Sequence, residues 1–399
     1  MKNCQAFPSG NLMGSNRVIS TCRAWTWCVR AIPAVVCLPA WGQPAVSLYG
    51  VADLGITVSR NGAPGNPTTT SITSGVMNAS RWGLQGSESL GGDLKAVFLL
   101  EQGVELDTGA AKAFNGNYSG ATPSAPNGPS GTGFSRRSIA GLEGRFGSLT
   151  LGRDYAPVYW ADAIGDLLKR GFWGNLQQTA SPGGGVERFR RVSNGIFYVT
   201  PEITGIKGRA TYSSGSESGG GLSGSLPKGA NEFIGVSVEY TQAGFATAAS
   251  YQRLKLPLTA GSPAVFTGAM QNRDDWVINA RYSFGRLTVS AGYWKMGSPN
   301  NVSDEWIGGA VKSGSAGTLI TQVQRFRQDN PAGEERVGVV VGISYVHTLS
   351  NRTALYASYG EVRNNATASF PLVSSDPILT AGGNGADPRA LTFGVRHQF

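Results

Sequence analysis

Val46-Ser47-Leu48-Tyr49-Gly50-Val51-Ala52-Asp53-Leu54-Gly55-Ile56-Thr57-Val58-Ser59 reads with a period of two. Val46, Leu48, Gly50, Ala52, Leu54, Ile56 and Val58 share one face, and Ser47, Tyr49, Asp53, Thr57 and Ser59 share the other, the signature of a strand between apolar and polar surroundings. Working outward, Trp276, Ile278, Ala280, Tyr282 and Phe284 oppose Asn279, Arg281 and Ser283 in the same way, and Leu391, Phe393, Val395 and Phe399 oppose Thr392, Arg396 and Gln398. Sixteen such runs are expected, at 46–59, 79–88, 93–105, 135–145, 147–154, 188–200, 206–214, 232–241, 244–254, 274–284, 286–296, 304–312, 317–327, 336–347, 353–363 and 389–399. Their connections alternate between seven short turns and eight longer Gly/Ser/Pro/Asn-rich loops at about 60–78, 106–134, 155–187, 215–231, 255–273, 297–303, 328–335 and 364–388.

An even number of strands, with long connections on one side and short ones on the other, predicts an all-β fold. The specific expectation is a 16-stranded antiparallel transmembrane β-barrel with short periplasmic turns and long external loops. Eleven residues at ~3.3 Å each, tilted by ~45°, rise about 26 Å, close to the ~25 Å apolar band of such barrels. A soluble β-sandwich also alternates, but at this length it would be divided into smaller domains and would not reserve its long loops for every second connection. An Arg facing lipid at the bilayer midplane costs ~2–4 kcal/mol, so Arg281, set among apolar neighbours, must face inward, and water must lie inside. Tyr345, Trp276 and Phe399 at strand ends suit interfacial aromatic girdles.

Composition agrees. Gly accounts for 57 of 399 residues, about twice its usual ~7% share, and charged residues for only 15%. No apolar run reaches the ~20 residues of a spanning helix. All four cysteines (Cys4, Cys22, Cys28, Cys37) fall in the first 42 residues with four cations and no acid. Arg17, Arg23 and Arg30 followed by the apolar stretch Ala31 to Ala40 read as an export signal, so residues 1–42 are expected to be cleaved and 43–399 to form the barrel. Removing four cations leaves 34 − 4 = 30 against 25 acids, a net +5, with 22 of the 30 being Arg. The remaining chain has no thiol, so thiolate metal sites and disulfides are excluded there. No HExxH or GxxxxGK[ST] motif occurs, and no catalytic, metal or cofactor site is expected.

Several segments resemble the sixteen-stranded general diffusion porins of Gram-negative outer membranes, in particular their beta-proteobacterial branch. They are Ser47-Leu48-Tyr49-Gly50, Ser80-Arg81-Trp82-Gly83-Leu84-Gln85-Gly86, Leu90-Gly91-Gly92-Asp93-Leu94, Phe134-Ser135-Arg136-Arg137-Ser138, Phe146-Gly147-Ser148-Leu149-Thr150-Leu151-Gly152-Arg153 and the ending Phe393-Gly394-Val395-Arg396-His397-Gln398-Phe399. Their order across 45–399, with a terminal Phe, carries the resemblance. It implies a homotrimer in which each subunit has its own pore, narrowed by the third long loop folding inward. It further implies acids on that loop, with Asp162 and Asp166 as candidates, facing an arginine ladder of Arg81, Arg136, Arg153 and Arg190 or Arg191. Phe399 resembles the signal read by the outer-membrane assembly machinery. Where many relatives carry Pro-Glu-Phe, this chain runs Gly165-Asp166-Leu167-Leu168-Lys169-Arg170-Gly171-Phe172, which places Lys169 and Arg170 where an acid would stand. Asp53 is the first-strand lumen residue nearest this region.

The function expected is a water-filled hole for small hydrophilic solutes and ions, with anion preference, because fixed cations across low-dielectric walls focus a positive potential. A selective channel for organic or phosphorylated anions on the same fold stays open. So does a barrel-embedded lipid hydrolase, although His347 and His397 are the only histidines and both fall by parity on the outward face. Loop arginines also suit outer-membrane lipid and lipopolysaccharide phosphates. The cluster Arg188-Phe189-Arg190-Arg191 reads as a pore-mouth or wall feature, with no nucleic acid as partner.

Overall fold

The computed structural model describes residues 45–112, 133–177, 191–215, 229–260, 265–297, 301–330 and 333–399. The expected signal at 1–42 and Arg190 lie outside the described residues. In chain order the elements are β1 (Ala45–Arg60), β2 (Thr69–Ser74), β3 (Arg81–Gly91), β4 (Leu94–Glu105), β5 (Ala110–Lys112), β6 (Arg137–Gly144), β7 (Gly147–Tyr155), α1 (Pro157–Gly165), β8 (Arg191–Val199), β9 (Ile206–Ser213) and β10 (Phe233–Gln242). They continue with β11 (Phe245–Ala260), β12 (Val265–Phe284), β13 (Leu287–Met296), β14 (Val302–Ser313), β15 (Gly317–Gln328), β16 (Arg336–Thr348), β17 (Thr353–Asn364), β18 (Leu372–Val373), β19 (Ile378–Leu379) and β20 (Arg389–Gln398).

Sixteen of these close into one antiparallel barrel, whose sheet the short β2 and β5 extend by pairing with β1 and β4, while β18 and β19 pair separately. Each pairs with the next, and β1 pairs with both β3 and β20, so no edge is left for lipid to meet. At the seam Gly50 and Phe399 exchange backbone hydrogen bonds of 3.0 and 3.1 Å. A Cβ on Gly50 would stand 2.2 Å from the Phe399 ring, so this position must be glycine for the terminal aromatic to lie across it.

Alternation becomes sidedness. Leu48 and Ile56 are exposed on the outer surface while Asp53 and Thr57 are buried inside, and Trp276, Ile278 and Tyr282 point out while Asn279 and Arg281 share the inward face. Tyr345, Trp276 and Phe399 all project outward.

Besides the short strands β2, β5, β18 and β19 inside expected loops, the structure departs from the sequence expectation in two larger places. The expected loop 255–273 is mostly ladder, because β11 and β12 keep pairing past Leu256 and absorb Pro257, which has no N–H to donate, in a register shift before Thr259. The expected loop 155–187 opens with a helix, α1, which Pro157 starts at its first turn and which turns Val158, Ala161 and Gly165 inward against the barrel wall.

That inward loop has its own core inside the barrel. Ala156, Val158, Ala161 and Leu176 pack against Phe197, Phe233, Val277, Trp294 and Trp306, and Leu167, Leu168, Phe172 and Trp173 pack against Ile320, Val340, Tyr356, Val362 and Leu372. The lumen faces of these strands are therefore apolar where the loop sits and polar elsewhere. Polar groups pin the same segment. Trp173 N donates to Ser358 Oγ (3.0 Å), its Nε1 to Thr392 Oγ1 (2.9 Å), Asn279 Nδ2 to the Ala161 carbonyl (2.9 Å) and Gln322 Nε2 to Asp166 Oδ1 (3.1 Å). At the tip, Lys169, Arg170 and Phe172 adopt left-handed backbone (φ 58°, 53° and 56°), a strained run that the surrounding anchors hold. A Cβ on Gly171 would collide with the Met77 carbonyl at 1.7 Å.

Candidate functional site

With the loop seated on the β10–β17 side, the passage is left against the wall of β1, β3, β4, β6 and β7. There Arg81, Arg136, Arg137, Lys169 and Arg170 line a cavity of about 270 Å³ together with one acid, Glu101. Strand parity sets the wall residues: Gly83 opposes Glu101 across β3 and β4, and Glu101 opposes Arg137 across β4 and β6, so these side chains share the inward face. Glu101 is the hub. Its Oε1 takes Arg136 Nε at 2.8 Å, and its Oε2 takes Arg81 Nε at 3.1 Å and the Tyr49 hydroxyl at 3.0 Å. Arg136 and Arg191 each donate an Nη2 hydrogen bond of 3.0 Å to the Tyr155 hydroxyl. The Tyr155 ring stacks on Tyr159 with centroids 3.7 Å apart, and the Arg191 and Arg170 guanidinium carbons lie 4.7 and 3.4 Å from the Tyr155 and Tyr159 centroids. Arg137 grips Asp154 through two bonds of 2.7 Å.

Arg81, Arg136, Lys169 and Arg170 are thus gathered around one opening, and Arg191 joins through Tyr155. Arg153 is turned aside, its Nε donating to the Ser135 carbonyl (2.8 Å) and its Nη1 to Ser193 Oγ (2.6 Å). The three expected acids have structural partners instead of facing solute. Asp53 accepts from the Tyr356 hydroxyl and from Asn78 N, both at 2.6 Å, and so ties β17 to the 75–80 segment. Asp162 pairs with Arg170 at 3.1 Å inside the loop. Asp166 accepts from Leu168 N, Arg170 N, Leu176 N and Gln322 Nε2, which folds the tip on itself and fastens it to β15. Buried carboxylates need such donors, and a loop folded back into a barrel supplies them at short range.

Three charged residues emerge that sequence reasoning did not name at the constriction. Glu101 is one: an acid at inward parity in the apolar run Val97 to Leu100 was its available signal. Arg281 and Arg396 are the others. Both stand on inward faces and both act on the Lys169 ammonium, whose pKa is lowered by burial first and then by repulsion from Arg396 and Arg281. Among the described residues none of Lys169, Arg281 and Arg396 makes an ion pair, and the Arg396 Nε–H is buried without a hydrogen-bond acceptor. His347 and His397 project outward, the latter with Nδ1 2.9 Å from Thr353 Oγ1.

A closed sixteen-stranded sheet, apolar outside, with a cation-rich lumen narrowed by an inward loop, defines an outer-membrane channel. The profile of the Gram-negative porin family matches residues 29–367, and the chain belongs to this family. It is 27% identical over 372 residues to outer membrane porin protein 32 of Delftia acidovorans, spanning 90% of this chain and 95% of that one. It is 25% identical over 379 residues to the major outer membrane protein P.IB of Neisseria meningitidis, spanning 91% and 96%. Among solved structures, the anion-selective porin from Comamonas acidovorans shares the fold with a TM-score of 0.73 at 24% identity, covering 90% of this chain and all of that one. The OmpT of Vibrio cholerae in its trimer form does so with a TM-score of 0.61 at 16% identity, covering 89% and 99%. The protein is an integral outer-membrane porin of a Gram-negative bacterium.

Proposed function

We propose that this porin is a passive pathway for small hydrophilic solutes with a preference for anions. The observation that carries it is the imbalance at the constriction: among the described residues five cations and one carboxylate line the opening, and Arg281 and Arg396 add charge that repels Lys169 and makes no ion pair among those residues. Pairing with Glu101, Asp154 and Asp162 neutralises part of that field, and Lys169, Arg281 and Arg396 carry what remains. Guanidinium keeps its proton at all physiological pH and can pass an anion from one fork to the next. Low-dielectric walls strengthen the potential these groups produce. The anion selectivity named for the Comamonas relative supports the reading.

The remaining features of this reading are a homotrimer, supported by the trimeric fold relative from Vibrio cholerae, and an export signal at residues 1–42. Phe399, outward at the barrel seam, serves as the recognition point for the assembly machinery, and outward loop arginines meet lipopolysaccharide phosphates. Transport by diffusion requires no bond chemistry, so no catalytic residue and no cofactor enters. The test is a reversal potential across a planar bilayer separating two KCl concentrations: a potential of the chloride sign is expected, and one of the potassium sign refutes the anion preference.

A further inference from the structure

On the periplasmic side of the constriction a second cavity, of about 570 Å³, opens on the lumen wall. It shares Arg137, Tyr155 and Trp160 with the first, so a solute can occupy both at once. The chemistry of its wall is unlike the rest of the open lumen. Parity with Glu101 turns Val97 and Leu99 inward, parity with Arg137 turns Ile139 inward, and Leu99 and Ile139 are direct cross-strand partners. All three are half-buried and line the cavity, and none belongs to the clusters that seat the inward loop. Apolar side chains at lumen-facing positions with no protein packed on them gain nothing from water. Trp160 closes one side with its ring, held by the Arg209 guanidinium carbon 4.6 Å from its centroid.

Two of the cations here are paired, Arg137 with Asp154 and Arg209 with Glu239 at 2.7 Å, and Glu143 adds a carboxylate to the lining. The cavity therefore offers a bare inorganic anion no net attraction, whereas the adjoining constriction does. An apolar shelf beside a cationic opening complements a molecule built the same way. We propose that these two cavities together form a binding site for small amphipathic monocarboxylates, such as aromatic or short branched-chain acids. The carboxylate rests at the Lys169 ammonium in the constriction, and the apolar body lies on Leu99, Ile139 and Trp160. The proposal rests on the anion preference above and adds a solute class to it. A cavity of this size accommodates a single-ring acid.

The experiment uses the full-length trimer in planar bilayers, with chloride as current carrier and benzoate or acetate as probe. Benzoate is expected to reduce chloride current saturably, with half-block at a concentration about tenfold below that of acetate. The pair Leu99→Ser and Ile139→Ser is expected to raise the benzoate concentration for half-block about tenfold, the loss of several buried methyl groups. It should leave the KCl reversal potential unchanged. If that potential has the potassium sign, the anion reading falls and this proposal with it. If it keeps the chloride sign but benzoate and acetate block alike, or the double variant is blocked as strongly as the wild type, the amphipathic site alone is overturned. The comparison of the two acids in the unmodified protein decides the matter should the double variant fail to fold.

Discussion

Arg81 and Arg136 hold the Glu101 carboxylate at 3.1 and 2.8 Å, while Lys169 is repelled by Arg396 and Arg281, and none of these three makes an ion pair among the described residues. One sign of charge thus serves two ends. The paired group is architecture: it is buried or nearly so, cross-linked through Tyr49 and Tyr155, and shapes a rigid wall. The unpaired group is field. A cation that already has its counter-ion at contact distance offers a passing anion little, whereas one that is repelled by its neighbours is relieved when an anion arrives. On the proposed anion preference, counting arginines overstates selectivity, and the cations without a partner among the described residues are the ones expected to carry it.

The contrast can be broken from the paired side first. Glu101→Gln removes the hub charge and leaves two guanidinium groups without their carboxylate. The expected cost is about 3–5 kcal/mol in unfolding from lipid vesicles by denaturant, together with a stronger chloride preference. Loss of stability without any gain in anion preference would mean that Glu101 does not act on the pore field. Next comes the anchorage that holds Lys169 in place. Trp173→Ala empties a ring site in the loop's core and frees the Thr392 hydroxyl, for an expected loss of about 3–5 kcal/mol. Single-channel conductance should rise and become noisier; an unaltered, quiet conductance would show that the loop stays seated without it.

A smaller effect follows from pH. The Lys169 pKa lies below the ordinary lysine value of 10.5, so its charge is present at neutral pH and is lost at a lower alkaline pH than an exposed lysine would lose it. Anion preference should weaken as pH rises through the alkaline range below the ordinary lysine value of 10.5, and Lys169→Arg should abolish that weakening, because guanidinium keeps its charge throughout the range. A pH profile identical in the two proteins would remove Lys169 from the field.

Much of this architecture was legible in the chain because one period governs it. A strand with lipid on one side and water on the other must alternate, so runs such as 46–59 and 276–284 announce their boundaries and sidedness. The inward position of Arg281 followed from the same energetics. What escaped was set by contacts between residues far apart in sequence. Lumen apolar residues such as Val340 and Val362 blur the alternation because a loop from another part of the chain covers them. Asp162 and Asp166 read as pore acids because the donors that occupy them, Arg170 and Gln322, meet them only after the loop has folded inward. Glu101 gathers arginines from three separate segments, 81, 136 and 191, the last through Tyr155. Arg396 stood in a segment quoted for its terminal aromatic, and its role depends on a loop tip more than two hundred residues earlier.

The most direct test replaces the unpaired cations together. In Lys169→Gln/Arg281→Gln/Arg396→Gln the paired cluster around Glu101 and the anchored loop are untouched, so the folded porin should form and conduct. Its reversal potential in a KCl gradient should fall to near zero or turn to the potassium sign. A reversal potential equal to that of the unmodified protein would contradict the account and return selectivity to the paired arginines.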